Sequence, residues 1–381
     1  MAQNITDLER PLSRLLMDRA SFSRIPVSGT FELTPMCNFS CRMCYIRQSA
    51  EAVRAHDRPQ RTLEQWLKTA EQAREMGLLY LLITGGEPLT WPDFWPLYEA
   101  LSRMGFVISI NTNGSLIDEA AARRFAATPP QRLNITLYGV GNGTYQRLCS
   151  APGGFDRVDR ALTLLKDHGV PVKLNCSLTP DNAGDLEAMV AYAKERELIM
   201  NVTSYMFPPV RKDPACHESS ARFTPEEAAR YHLLTYRLQE GEERYRTYLE
   251  RLISGAVEPP GLDESCVDPV DGKVRCRAGR AAFWVSWDGW LTPCGMMSEP
   301  REDLNELDFA AAWERLAACS QELRLSGVCE SCANRSLCHA CAASALAETG
   351  STEGVPQYLC RMVQQMRRLA KEELGEKVPV L

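Results

Sequence analysis

No stretch of this chain approaches the ~20 consecutive apolar residues that a helix needs to span a bilayer, which excludes a helical membrane protein. The opening residues, MAQNITDLERPLSR, lack the apolar core of a secretory signal. Positive charge is not in excess either. Lys and Arg number 43 against 49 Asp and Glu, the net charge is -6 and the pI is about 5.6. That balance is the wrong sign for a general nucleic-acid binder. Low-complexity composition is also missing: 45% hydrophobic and 24% charged residues exclude a disordered or fibrous chain. These absences predict a cytoplasmic globular protein with no membrane and no nucleic-acid partner. A length of 381 residues predicts two or three units, at roughly 150 residues per domain.

What the chain has in excess is cysteine, 15 in all. In a small secreted chain that count would mean disulfides; in a long one without an export signal it points to metal or redox chemistry. The cysteines cluster. Cys37, Cys41 and Cys44 fall within eight residues, and Cys329, Cys332, Cys338 and Cys341 within thirteen. Between residues 45 and 265 only Cys149, Cys176 and Cys216 occur.

The cysteine-poor body alternates. Runs 29–35, 78–86, 106–114, 132–139, 170–180 and 199–207 read as strands, and runs 62–77, 92–105, 153–169 and 185–198 as helices. Gly77, Gly105 and Gly169 end three of these helices, as C-capping favours. Strands followed by helices of this length predict βα units and a parallel sheet. Six strands fit either an open barrel or a doubly wound sheet, and periodicity does not choose. The run 224–253 reads as one long helix opening with Thr-Pro-Glu-Glu, with Thr at the cap and Pro at the first helical position. From Gly255 to Cys360 strand and helix signals are weak, which predicts a segment held by metal rather than by an apolar core.

The segment TPMCNFSCRMCY, residues 34–45, directly follows the first strand. In a parallel βα architecture the carboxyl edge of the strands carries the active site. Three clustered thiolates are too few for a closed tetrahedral zinc site. They suit a cubane iron–sulfur cluster with one iron left open. A second motif, TGGEP at residues 84–88, ends the second strand. Gly85 and Gly86 would let backbone approach a ligand ammonium closely, and Glu87 could add a charge-assisted hydrogen bond.

These two motifs resemble the signature of the radical S-adenosylmethionine (SAM) superfamily, with Tyr45 as the aromatic residue after the last cysteine. The resemblance implies a partial (β/α)6 TIM-like barrel over residues 28–208, an α/β fold, after an N-terminal extension of residues 1–27. It implies that Cys37, Cys41 and Cys44 hold a 4Fe–4S cluster whose open iron chelates SAM. Reductive cleavage of SAM would give a 5′-deoxyadenosyl radical that takes hydrogen from substrate. Tyr45, Gly85, Gly86, Glu87, Asn111, Asn113, Thr136, Asn175, Ser177 and Arg211 are the candidate cofactor-binding residues. Asn175 and Ser177 share one face of their strand, because side chains alternate.

After a bridge over residues 209–255, the tail (256–381) carries Cys266, Cys276, DGWLTPC ending at Cys294, then Cys329, Cys332, Cys338, Cys341 and Cys360. This pattern resembles the SPASM domain that follows radical SAM barrels in peptide-modifying enzymes, although the gap between Cys338 and Cys341 is one residue short of it. By that resemblance Cys266, Cys276, Cys294 and Cys341 would hold one auxiliary 4Fe–4S cluster, and Cys329, Cys332, Cys338 and Cys360 a second. Zinc is the alternative that spacing alone does not remove. A tail without the Cys266 thiolate would leave an open iron. Of the remaining thiols, Cys216 is the candidate hydrogen donor, and Cys149, Cys176 and Cys319 read as small buried hydrophobes.

Sulfatase-maturing relatives carry an Asp directly after the second SPASM cysteine. Here Gly295 and Met296 follow Cys294, so that oxidation is disfavoured. Only about 28 residues precede the first strand, too few for an N-terminal leader-recognition domain by ordinary domain sizes. The resemblance therefore implies an oxidoreductase that matures a ribosomally made peptide by thioether or carbon–carbon crosslinking, or by epimerisation. It also implies a separate leader-recognition partner or another binding surface, and an external electron donor of flavodoxin or ferredoxin type. A radical SAM enzyme of a small molecule or a folded protein is the alternative. An iron–sulfur electron carrier is disfavoured, because a carrier has no use for the TGGEP turn.

Overall fold

The computed structural model describes residues 11–209, 222–255 and 276–375. Six parallel strands lie side by side: β1 (Ser28–Glu32), β2 (Tyr80–Thr84), β3 (Val107–Thr112), β4 (Arg132–Thr136), β5 (Val172–Ser177) and β6 (Met200–Thr203). Their spatial order is their chain order. A doubly wound sheet would reverse direction at a switch point, so the sequential order leaves the partial barrel. Helices Leu63–Glu75, Phe94–Arg103, Glu119–Ala127, Gly154–Asp167 and Leu186–Glu195 form the crossovers. Local sequence explains their limits. Thr62 caps the first of them reciprocally with Gln65, and Gly77 at φ +105° turns the chain out of it.

Side-chain alternation splits each strand into two faces. Phe31, Leu81, Ile83, Ile108, Ile110, Leu133, Ile135 and Leu174 are almost fully buried. They face the helices, as the 3.9 Å contact of Cys176 Sγ with Met189 Sδ of the helix Leu186–Glu195 marks for β5. The alternate residues face the concave side and are mostly polar: Thr30, Ser109, Asn111, Asn134, Thr136, Asn175 and Ser177, with Leu82 beside Thr30 as an apolar exception. The sequence thus builds an apolar shell outside the sheet and a hydrophilic lumen inside it.

The sheet does not stop at β1. Strand β7 (Ala282–Val285) pairs parallel with β1, and β8 (Trp290–Thr292) and β9 (Glu302–Asp303) follow antiparallel. The cysteine-rich tail therefore continues the barrel's own hydrogen-bond ladder. It also has a core, contrary to the expectation from sequence: Phe283, Phe309 and Trp313 are buried and pack edge to face. The signal was weak because β7 to β9 are too short to show a period, and because small alanines fill much of the apolar face of the helix Phe309–Ser320.

The expected long helix is two, Pro225–Glu240 and Glu242–Ser254, broken at Gly241 with φ +83°. Strong helix formers on both sides of Gly241 hid the break. Both helices pack against the C-terminal helix Gln357–Leu374. Helices Pro11–Ser23, Ala50–Ala55 and Asn142–Cys149 were not foreseen. Among the described residues no helix is long and apolar enough to cross a membrane.

Candidate active site

The three-cysteine loop leaves the carboxyl end of β1 and is fastened on three sides. The TGGEP turn holds it from β2: the Gly86 N–H donates to the Thr34 carbonyl at 2.6 Å, and the Glu87 N–H to the Met36 carbonyl at 2.9 Å. The end of β3 holds it through Asn113, whose side-chain amide donates to Asn38 Oδ1 at 2.8 Å while Asn38 Nδ2 donates to Ser115 Oγ at 2.9 Å. The segment after β5 holds it through an Arg42–Asp181 ion pair at 2.9 Å.

Glu87 is fully buried and lies beneath this surface. Its Oε1 accepts from Thr112 Oγ1 at 2.8 Å and from the Leu89 N–H at 3.1 Å, and its Oε2 accepts from the Asn113 N–H at 2.7 Å. Burial pushes its carboxyl up to about 7 against these three donors. This carboxylate ties β2 to β3. The glycines also serve the loop. A Cβ on Gly85 would lie 2.6 Å from the Thr34 carbonyl oxygen, and one on Gly86 2.6 Å from the Met36 carbonyl carbon. Their close approach is to the cysteine loop itself.

Cys41 is buried, and Cys37 and Cys44 are partly exposed. Burial pushes the Cys37 thiol up, with further contributions from Cys41, Glu87 and Cys44, so the thiols lie within electrostatic reach of one another. The Phe39 N–H donates to Cys37 Sγ at 3.3 Å. Among the described residues no three His, Cys, Asp or Glu side chains converge tightly enough for one metal ion. Three neighbouring sulfurs on a loop, one of them accepting a backbone N–H, suit the wider footprint of an iron–sulfur cluster.

Cys149 is a fully buried core residue, as expected, and it also sits against this loop. Its thiol is hydrogen-bonded to that of Cys41, and burial first, then Cys41, raises its pKa. Two backbone bonds, Ser40 N–H to Cys149 C=O at 2.8 Å and Arg42 N–H to Leu148 C=O at 3.0 Å, fix the contact. Nothing local in the sequence signals it. Glu32 was missed too. It is almost fully buried, accepts from Trp284 Nε1 at 2.9 Å, and lines a cavity of about 260 Å³ between β1 and the β7–β8 hairpin, with Gln48, Trp287, Asp288 and Thr292. Strand alternation alone puts Glu32 on the lumen side with Thr30, and that signal was available.

The remaining candidates on the strands face the lumen. Asn111 accepts from Asn134 Nδ2 at 2.9 Å. Thr136 and Asn175 are register partners, and Ser177 pairs with Thr203. Asn113 is buried and committed to the loop. Tyr45 is half-buried beside the loop. Arg211, Cys216 and Cys266 lie outside the described residues.

In the tail Cys276, Cys294 and Cys341 pack against one small apolar cluster that contains Met297, Leu325 and Cys329. Cys360 and Cys332 raise the Cys329 thiol after burial, and Cys360 and Cys329 act on Cys338. Four of these sulfurs accept backbone N–H groups: Cys276 from Ala278 at 3.5 Å, Cys294 from Met296, Cys332 from Asn334 and Cys341 from Ser344, each at 3.4 Å. Such bonds stabilise a thiolate and tune a cluster bound to it. Cys319 is exposed and apart.

A partial barrel with a fastened three-thiol loop at its carboxyl mouth defines a cofactor-dependent α/β enzyme. Residues 31–193 match the Radical SAM superfamily, and the chain carries a radical SAM domain, whose family cofactors are a 4Fe–4S cluster and SAM. The chain is 24% identical to an AdoMet-dependent heme synthase of Methanosarcina barkeri over 334 residues, 84% of this chain and 92% of that protein. It is 28% identical to the subtilosin biosynthesis protein AlbA of Bacillus subtilis over 183 residues, 48% of this chain and 39% of AlbA. It is 27% identical to the mycofactocin maturase MftC of Mycobacterium tuberculosis over 194 residues, 51% of this chain and 48% of MftC. The chain thus spans less than half the length of these two maturases. Streptococcus suis SuiB bound to its precursor peptide SuiA superposes with a TM-score of 0.64 at 18% identity, covering 93% of this chain and 82% of SuiB. Native anSMEcpe with bound AdoMet gives 0.64 at 18% identity, covering 92% of this chain and 98% of that one. At these identities the two structures speak for the fold.

Proposed function

We propose that this chain is a radical SAM enzyme that modifies a ribosomally made peptide by crosslinking or epimerisation. The observation that carries the chemistry is the three-thiol loop, fastened at the mouth of the lumen by the TGGEP turn. Cys37, Cys41 and Cys44 would hold the catalytic cluster. When bound, that cluster and SAM supply a 5′-deoxyadenosyl radical that abstracts hydrogen from the substrate. Glu87, Asn113 and Asn38 hold the loop still, so the thiols keep their places while substrate enters. Asn111, Thr136, Asn175 and Ser177 present hydrogen-bonding groups to SAM along the lumen, with Tyr45 beside the loop and Arg211 assigned from sequence alone. Cys276, Cys294 and Cys341, with Cys266, would hold one auxiliary cluster, and Cys329, Cys332, Cys338 and Cys360 the other. Cys216 remains the candidate hydrogen donor. A separate leader-binding protein and a flavodoxin or ferredoxin complete the working set.

The peptide reading draws on AlbA, MftC and SuiB with SuiA. A second reading, a small-molecule substrate, draws on the near full-length match to the heme synthase. Anaerobic reconstitution with SAM and dithionite tests the chemistry. Wild type should release 5′-deoxyadenosine and Cys37→Ala should not. Equal yields would sink the assignment. Wild type should carry about eleven or twelve irons per chain, and about four would remove the auxiliary clusters.

A further inference from the structure

The lumen carries two cations that nothing in the described chain neutralises. Arg132 opens β4 and Lys173 is the second residue of β5. Both face inward, because the intervening Leu133 and Leu174 are fully buried under the helices. Lys173 pairs in register with Asn134, which shares the face of Arg132. Neither cation makes a hydrogen bond or ion pair among the described residues, and Arg132 Nε is buried without a partner. Burial pushes Lys173 down to about 8, and among the described residues the one charge acting on it is the repulsion of Arg132. Burial also lowers Arg132, and no carboxylate among the described residues raises it.

Other inward cations have partners: Arg61 donates to Gln65, Thr69 and Asn305. Arg58 grips Asp303 with two bonds of 2.6 Å, and Arg222 meets Glu348 at 2.7 Å. An unpaired, mutually repelling pair on one wall of a polar lumen is costly to the fold. A bound anion would offset that cost. A guanidinium fork beside a mobile ammonium suits a carboxylate. Arg132 lies four residues before Thr136, or about 13 Å down the strand from the end where the cysteine loop and TGGEP turn sit.

We propose that Arg132 and Lys173 form a carboxylate-binding site for the substrate, which docks an acidic group on the inner wall of β4 and β5 and offers its reacting carbon at the strand ends. This rests on the radical SAM reading above and adds the substrate's chemical class. The carboxylate belongs either to an acidic side chain of a peptide or to a propionate of a tetrapyrrole.

The test is calorimetric titration of the reconstituted full chain with hexaglutamate, with haem, and with hexalysine as control. One carboxylate probe should bind and hexalysine should not. Arg132→Gln and Lys173→Gln should each weaken that binding roughly tenfold or more, and Lys173→Arg should retain it. Relieving the repulsion should leave Lys173→Gln melting no lower than wild type, which a merely structural lysine would not do. Dependence of hexaglutamate binding on the two residues identifies a peptide carboxylate; dependence of haem binding identifies a tetrapyrrole. Binding of neither carboxylate probe, equal binding of hexalysine, or undiminished binding in the double variant overturns the proposal. The release of 5′-deoxyadenosine by wild type is scored separately, so failure of the radical reading and failure of this site give different results.

Discussion

Replacing Gly86 with Ala tests whether the TGGEP turn works as a clamp on the cysteine loop. The new Cβ would stand 2.6 Å from the Met36 carbonyl carbon and 2.9 Å from the Pro35 carbonyl oxygen. All of these atoms are backbone, so no side chain can rotate away. Ordinary contact requires the turn to withdraw by about 1 Å. That movement lengthens both the Gly86–Thr34 and the Glu87–Met36 bonds, now 2.6 and 2.9 Å. Two backbone bonds at about 1 kcal/mol each, plus the partial exposure of buried donors and acceptors, come to about 3 kcal/mol. For a barrel of this size that lowers Tm by roughly 6–12 °C. The same shift displaces the thiols, so reconstituted iron should fall. Gly105→Ala is the matched control. Its φ of +88° is strained for alanine but no atom lies within 4 Å, so it should cost about 1–2 kcal/mol and no iron. Differential scanning fluorimetry and iron analysis on both variants decide the matter. A Gly86→Ala protein with wild-type Tm and iron, or a Gly105→Ala protein that loses as much iron, would refute the clamp.

Two further outcomes follow from groups close to the core. Cys149→Ala should keep its full iron complement and lose about 1 kcal/mol of stability, since the Cys149 thiol packs on Cys41 without belonging to the ligand set; loss of about four irons would make it a ligand. His232 is bonded through Nε2 to the Tyr248 hydroxyl at 2.9 Å, and burial pushes it from 6.5 down to about 4. The unfolded chain therefore binds a proton below pH 6.5 that the folded chain refuses, and stability should fall as pH drops from 6.5 through 4, by up to about 3 kcal/mol. His232→Asn should flatten the melting curve over that window, and parallel curves for the two proteins would contradict the reasoning.

The βα body was legible because its signals are local. Period-two strands, glycines after helices and the cap at Thr62 each need only a few neighbouring residues, and all three survive in the fold. The cysteine loop and the TGGEP turn were legible for the same reason, as short motifs. Their relation to one another was not. Gly86 has no special backbone angle, and its need to be glycine comes from the Met36 carbonyl, contributed by the loop after another strand. Glu87 reads as a ligand contact in sequence, and its part as a bolt between β2 and β3 was not visible there, because its three donors come from Leu89, Thr112 and Asn113 and only the folded sheet brings the last two to it. Cys149 reached the loop in the same way, across the barrel.

The tail shows the complementary failure. Its thiol spacing drew the reading to metal, and its apolar core was passed over, because alanine-rich helices and strands of two to four residues carry almost no periodic signal. Arg132 and Lys173 mark the limit of both kinds of reading. Each looks in sequence like an ordinary solvated cation near a strand's start. Only the register of β4 against β5 makes them neighbours on one wall, and only the lack of a facing carboxylate among the described residues turns two unremarkable residues into a proposal about the substrate. Specificity is written in side chains that share no local sequence, whereas the cofactor loop, whose spacing is set by one cluster, stays contiguous and readable.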